Sequence, residues 1–205
     1  EQNDELTSQL NTIKLEKYDL DNLRELLDLG EKYPSYQKVA ASVIAKDTGN
    51  WFSVFTIDKG SKDGLKKGMN IMAGSGLVGI ITDVGPNYAK VRSIIDDSAN
   101  VSAMVTTTGD NMNVSGNLQT MNSDQVITFS ELRDSEDKVQ IGDPVVTSYV
   151  SDQYQQGILI GYIASIESDS NKLTKSGTIT PVVDFEHMEN VLVILDTKET
   201  GDSTQ

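Results

Sequence analysis

Apolar residues are spaced in two different ways along this chain. In the first 31 residues, Leu6, Ile13, Leu20 and Leu27 recur every seventh position. Leu10 adds the four-three alternation of a coiled-coil seam. Lys17 and Arg24 fall on the second row of that seam and weaken it. The only glycine of this segment is Gly30, and Pro34 follows it, a combination that stops a helix. The spacing predicts one helix from about Asp4 to Leu29. Such a helix either packs on its own domain or pairs with a second copy. Its terminal position and its seven-residue period, in place of a broad apolar stripe, favour pairing. Residues 1–31 are therefore expected to be a dimerisation helix, with Leu6, Leu10, Ile13, Leu20 and Leu27 at the contact.

From Val39 onward the period becomes two. VAASVIA, NWFSVFTI, GLVGIITDV, YAKVRSII and NVSAMVT are rich in Val, Ile, Thr and aromatics, and Gly, Asn, Asp and Ser clusters separate them. NMNVSGNL, QVITFS, PVVTS, GILIGYIASI, TITPVVDF and NVLVIL continue the pattern. With MNIM before the glycine run, about twelve strands are expected and no further helix. A weak internal repeat aligns Gly68 with Gly142, Gly79 with Gly161 and Asp96 with Asp184, and each copy ends in a strand carrying Val101 or Val191. Six strands per copy suffice to close a small barrel, which removes exposed sheet edges. The predicted fold is mainly β: the N-terminal coiled-coil helix, a first six-stranded β-barrel over 38–115 and a second over 116–196. The last strand could also cross back to the first barrel, and 197–205 read as a frayed polar tail.

One stretch carries a competing signal. In NIMAGSGLVGIITDVG, Gly74, Gly76 and Gly79 form a GxGxxG, and Asp96 lies 20 positions after Gly76. A dinucleotide site needs that turn to open a helix, whose N-terminal amides hold the pyrophosphate. Here it runs into Ile80, Ile81 and Thr82, a β-branched run that favours a strand. The expectation is a tight hairpin at Ala73–Gly76, a bulge or bend at Gly79, and no cofactor.

Charge narrows the partners. Asp and Glu number 31 against 17 Lys and Arg, a formal net charge of -14, and a surface of that sign repels nucleic-acid phosphates. Asp58 and Asp63 interrupt the densest basic cluster, Lys62, Lys66 and Lys67. With no cysteine there is neither a disulfide framework nor a thiolate metal site. The acidic run Asp134, Ser135, Glu136, Asp137 lacks the alternation and central glycine of a calcium loop. The chain opens on the polar EQNDEL without methionine, so it reads as a fragment cut from a longer protein, and any membrane anchor would lie upstream of Glu1.

Two alternatives to a surface-presenting protein stay open. A hydrolase would use the single histidine, His187, with Ser203 of the closing GDSTQ, although a nucleophile needs a rigid setting beside its base. A glycan-binding module would use Trp51 and Tyr88.

The helix ending DNLRELLDL, followed by VIAKDTGNWFSVFTIDKGSKDGLKKGMNIMAGSGLVGIITDVGPNYAKVRSIIDDSANVSA, resembles the rod-shape-determining MreC family of bacteria. The similarity runs from about Leu20 to Leu195 and includes Asn50-Trp51, Gly76-Leu77-Val78-Gly79 and Val101-Ser102-Ala103. In the second half it takes in Gly142-Asp143-x-Val145-Val146-Thr147-Ser148 and Gly157-Ile158-x-Ile160-Gly161. Tyr149 and Gln155 depart from the glycine and proline usual in that family. The resemblance implies a single-pass membrane-anchored protein whose bulk lies outside the cytoplasmic membrane, with a membrane-proximal coiled coil and two β-barrels. It implies a non-enzymatic scaffold of cell-wall elongation. The partners implied are MreD, a class B penicillin-binding transpeptidase, RodA and, indirectly, MreB.

Overall fold

The structure, a computed structural model, describes residues 9, 10, 12–18, 20, 36–47, 52–74, 76–134, 136–170 and 173–198. Residues 9, 10, 12–18 and 20 are helical. Twelve strands follow: β1 (Lys38–Lys46), β2 (Val54–Ile57), β3 (Asn70–Ala73), β4 (Gly76–Val84), β5 (Ala89–Ser93) and β6 (Asn100–Val105) in one half. The other half holds β7 (Asn111–Ser115), β8 (Ile127–Leu132), β9 (Pro144–Thr147), β10 (Leu159–Ser168), β11 (Lys175–Pro181) and β12 (Asn190–Ile194).

The strands close into two antiparallel barrels, ordered β1-β12-β3-β4-β5-β2 and β10-β11-β8-β7-β6-β9. Read around the ring, the second is β7-β6-β9-β10-β11-β8, so each strand of one barrel has a counterpart in the other. The sixth strands are exchanged. β6, which ends the first repeat, lies between β7 and β9, whereas β12, which ends the second, lies between β1 and β3. The expected boundary at 115/116 is corrected by this exchange. Both β6 and β7 belong to the second barrel, and the chain changes barrels between Ser93 and Asn100. The sequence pattern missed it because β6 alternates inward and outward residues equally well in either ring.

The aligned glycines sit at equivalent places. Gly68 and Gly142 have φ of 91° and 92°, and their N–H groups donate to Ile81 O and Ile163 O at 2.9 and 2.8 Å. A Cβ on Gly79 would lie 2.1 Å from Arg92 O, and one on Gly161 would lie 2.1 Å from Thr180 O. Both barrels therefore need glycine where two strands cross closely.

One further element departs from expectation. Leu118–Asp124 is a short helix, not a loop. Asn117 caps it, its side chain accepting from Thr120 N at 3.1 Å, and Asp97 accepts from Leu118 N at 2.8 Å. Met121 is its one buried residue, too little periodicity to reveal a helix in the sequence. Inward side chains of both barrels, Phe55, Ile57, Ile71, Leu77 and Val91 with Val101, Val114, Ile127, Ile160 and Ile179, form one continuous apolar core.

Candidate interaction surfaces

Of the predicted dimerisation residues, Leu6 and Leu27 lie outside the described residues. Leu10, Ile13 and Leu20 are on the helical segment, with 52 %, 61 % and 46 % of their surfaces exposed. They cover no part of either barrel core. Leu15 and Tyr18 are exposed on the same segment.

The glycine turn behaves as a hairpin. β3 ends at Ala73, Gly74 has φ of 56°, and β4 begins at Gly76 and stays extended to Val84. The register slips by one residue between Ile71 and Met72, which places a bulge beside Gly79. The helix that a pyrophosphate would need is replaced by strand, and Asp96 caps the following turn by accepting from Ser98 N at 3.0 Å.

His187 Nδ1 lies 3.1 Å from Asp184 Oδ2, and both side chains are exposed, at 67 % and 65 %. Asp184 also accepts from the N–H groups of Glu186 and His187. Burial pushes its pKa up, but those amides and the imidazole outweigh burial and hold it below the ordinary carboxylate value. The pair closes a turn beside a cleft of about 310 Å³ lined by Met121, Pro181, Val183 and Phe185. Ser203 and Trp51 lie outside the described residues. Tyr88 is 40 % exposed and folds its ring against Gly85.

Asp134 turns out to be structural. Its side chain is 1 % exposed and accepts from Lys138 N at 2.8 Å, Val139 N at 3.2 Å and Lys175 Nζ at 2.8 Å. Lys175 also contacts Asp137. Burial raises the pKa of Asp134, yet these donors win and hold it low, while the two carboxylates hold Lys175 high.

Sequence reasoning missed the seam between the barrels. The loop from Ser148 to Gly157 leaves the second barrel and docks on the first. Asn70, 1 % exposed, donates through Nδ2 to Gln153 O at 3.0 Å and accepts from Gln155 N at 2.7 Å. Gln155 Nε2 donates to Asp196 O at 2.9 Å, and Tyr36 Oη donates to Gln156 O at 3.2 Å. Tyr154 is buried in the seam, and burial pushes its pKa up to about 12 against the pull of Arg92. An asparagine at the head of a strand reads as a turn residue, so nothing local marked Asn70 as a clasp. Gln155 supplies two of these hydrogen bonds.

Two closed six-stranded barrels with one topology, exchanged closing strands and a helical segment ahead of them define a double-barrel module. The family described as rod shape-determining protein MreC, barrel core, matches residues 43–195, and the chain belongs to it. The cell shape-determining protein MreC of Listeria monocytogenes is 32 % identical over 199 residues, covering 96 % of this chain and 65 % of that protein. The Bacillus subtilis protein of the same name is 29 % identical over 203 residues, covering 92 % of this chain and 70 % of its own length. This chain thus spans about two thirds of these relatives. A solved MreC structure from Listeria monocytogenes superposes with a TM-score of 0.72 at 29 % identity, covering 98 % of this chain and all of that one. The fold also matches the complex between penicillin-binding protein PBP2 and MreC from Helicobacter pylori, with a TM-score of 0.57 at 13 % identity, covering 78 % of this chain and 100 % of that chain.

Proposed function

We propose that this chain is the extracytoplasmic part of a non-enzymatic scaffold that holds cell-wall synthases together during elongation and so maintains cell shape. It pairs with a second copy through its N-terminal helix. The observation that carries this reading is the exposed row Leu10, Ile13 and Leu20, which among the described residues joins neither barrel core, on a family member whose folded mass is two barrels. A helical stripe of that kind is stabilised by a partner helix. An anchor preceding the helix would hold two copies side by side at the membrane, and the pair is therefore parallel. Pairing doubles every barrel surface and raises the effective concentration of whatever binds there.

The partner class is a class B penicillin-binding transpeptidase, supported by the Helicobacter pylori complex. MreD, RodA and, indirectly, MreB complete the assembly, as the family resemblance implies. The solvent-exposed His187 pair agrees with a role without catalysis. Light scattering should give the intact chain about twice its 22.3 kDa, and a chain beginning at Tyr36 the mass of one copy. A shortened chain that still dimerises would refute the helix as the pairing element. His187→Ala should leave both mass and transpeptidase binding unchanged.

A further inference from the structure

The two barrels differ in charge far more than in shape. Residues 94–189, which build the second barrel and its connections, hold fifteen Asp and Glu against four Lys and Arg. The segments of the first barrel, 36–93 and 190–198, hold five against nine. A surface as acidic as that of the second barrel attracts cationic partners and repels anionic ones.

One concave site on the second barrel can use this field. The cleft of about 310 Å³ lies between the Leu118–Asp124 helix and the connection 182–189 that carries the chain into β12. Both walls are fixed. Asn117 caps the helix, Val182 N donates to Ile160 O at 3.0 Å, and Phe52 N donates to Phe185 O at 3.0 Å. The floor is apolar and buried: Met121, Val183 and Phe185. The titratable groups of the lining are Asp184, Glu186 and His187, and it contains no Lys or Arg. Asp184 is already occupied, with Oδ1 accepting from Glu186 N and His187 N and Oδ2 facing His187 Nδ1. Glu186 is exposed and among the described residues has no ion-pair partner. At the mouth, Thr180 stands across the strands from Tyr162, which is exposed. An apolar slot with one available carboxylate at its lip matches a side chain that is aliphatic along its stem and cationic at its tip.

We propose that this cleft receives a lysine or arginine side chain from an extended basic segment of a partner protein. The stem lies over Met121, Val183 and Phe185 and the charge meets Glu186, while the His187 imidazole stays with Asp184. The sign of the barrel selects the source. A lysine-type wall stem peptide joined to its sugar carries one ammonium group and two carboxylates, and the acidic surface opposes it, whereas it draws in a basic protein segment. The proposal deepens the scaffold reading by giving the chemistry of one partner contact. The cleft lies within a single chain, so it does not depend on helix pairing.

The test is amide NMR of the isotope-labelled full chain, titrated to millimolar concentration with the end-blocked peptide Gly-Ser-Val-Arg-Val-Ser-Gly. The amides of Val183, Phe185 and Glu186 should shift, together with those of Met121 and Gln125. Norleucine in place of the peptide's arginine should weaken binding about tenfold, and Glu186→Gln should do the same. Glu167→Gln removes an equal charge at the far end of β10 and should leave the affinity unchanged. Thr180→Arg sets the chain's own guanidinium at the mouth and should abolish binding while the remaining amides keep their positions. N-acetylated L-Ala-γ-D-Glu-L-Lys-D-Ala-D-Ala should not compete. The proposal is overturned by the absence of shifts at the cleft, by equal weakening from Glu167→Gln and Glu186→Gln, by undiminished binding of the norleucine peptide, or by a stem peptide that binds as strongly as the arginine peptide. Light scattering of the same samples reports helix pairing separately, so failure of the cleft and failure of the dimer are told apart.

Discussion

β2 and β8 hold equivalent places in their barrels and end differently. β2 runs against β5 in step from Val54↔Arg92 to Ile57↔Ala89. Just past it, Asp58 carries the seam with β1 onward: its N–H donates to Ser42 O at 3.0 Å and its carboxylate accepts from Ser42 N at 2.8 Å. β8 gains a residue at the corresponding end and parts from β7. The inward-facing glycine crossings, by contrast, match between the barrels to the same distance. Closure of a small barrel constrains its inside much more than its rim. The rim of the second barrel is therefore where a partner surface can form without loss of the fold.

The comparison can be broken at several points. The largest effect is expected from Gly79→Ala or Gly161→Ala, whose new methyl group meets a backbone oxygen at 2.1 Å in either barrel. Each should cost about 3 kcal/mol. Because the sixth strands are exchanged, each should lower a single denaturation transition and not produce two. A biphasic melt would contradict the mutual closure of the barrels.

Asp134→Asn should cost about 2 kcal/mol by removing the charge that Lys175 and two amides hold in the second barrel. The folded pKa of Asp134 lies below its unfolded value, so this stability is complete above roughly pH 4 and is lost as pH falls through the folded pKa. The raised pKa of Lys175 keeps its contribution until pH climbs beyond roughly 10. Chemical denaturation across pH should show a shallower acid limb in the variant.

Asn70→Ala strands Gln153 O and Gln155 N and should cost about 1.5 kcal/mol in urea unfolding. The smallest effect runs the other way. Glu131→Gly relieves the left-handed backbone and should stabilise by about 0.5 kcal/mol.

Much of this architecture was legible in the sequence, because alternation fixes strands locally and paired glycines mark where strands cross. Gly79 followed by Ile80, Ile81 and Thr82 was enough to turn a nucleotide fingerprint into a hairpin. The exchange of β6 and β12 was not legible, because both strands present apolar residues to whichever ring receives them. Asn70, the Lys175 arm of the Asp134 ion pair and the Glu131 bulge were hidden for a related reason: each depends on residues 41 or more positions away.

The absence of cysteine allows the scaffold reading to be tested with one introduced thiol. Ile13→Cys sits on the proposed seam, and Leu15→Cys sits about 200° around the helix from it. Under mild oxidation, non-reducing electrophoresis should show Ile13→Cys crosslinked to twice the chain mass and Leu15→Cys as single chains. Equal crosslinking of the two, or none in either, would contradict pairing through this helix.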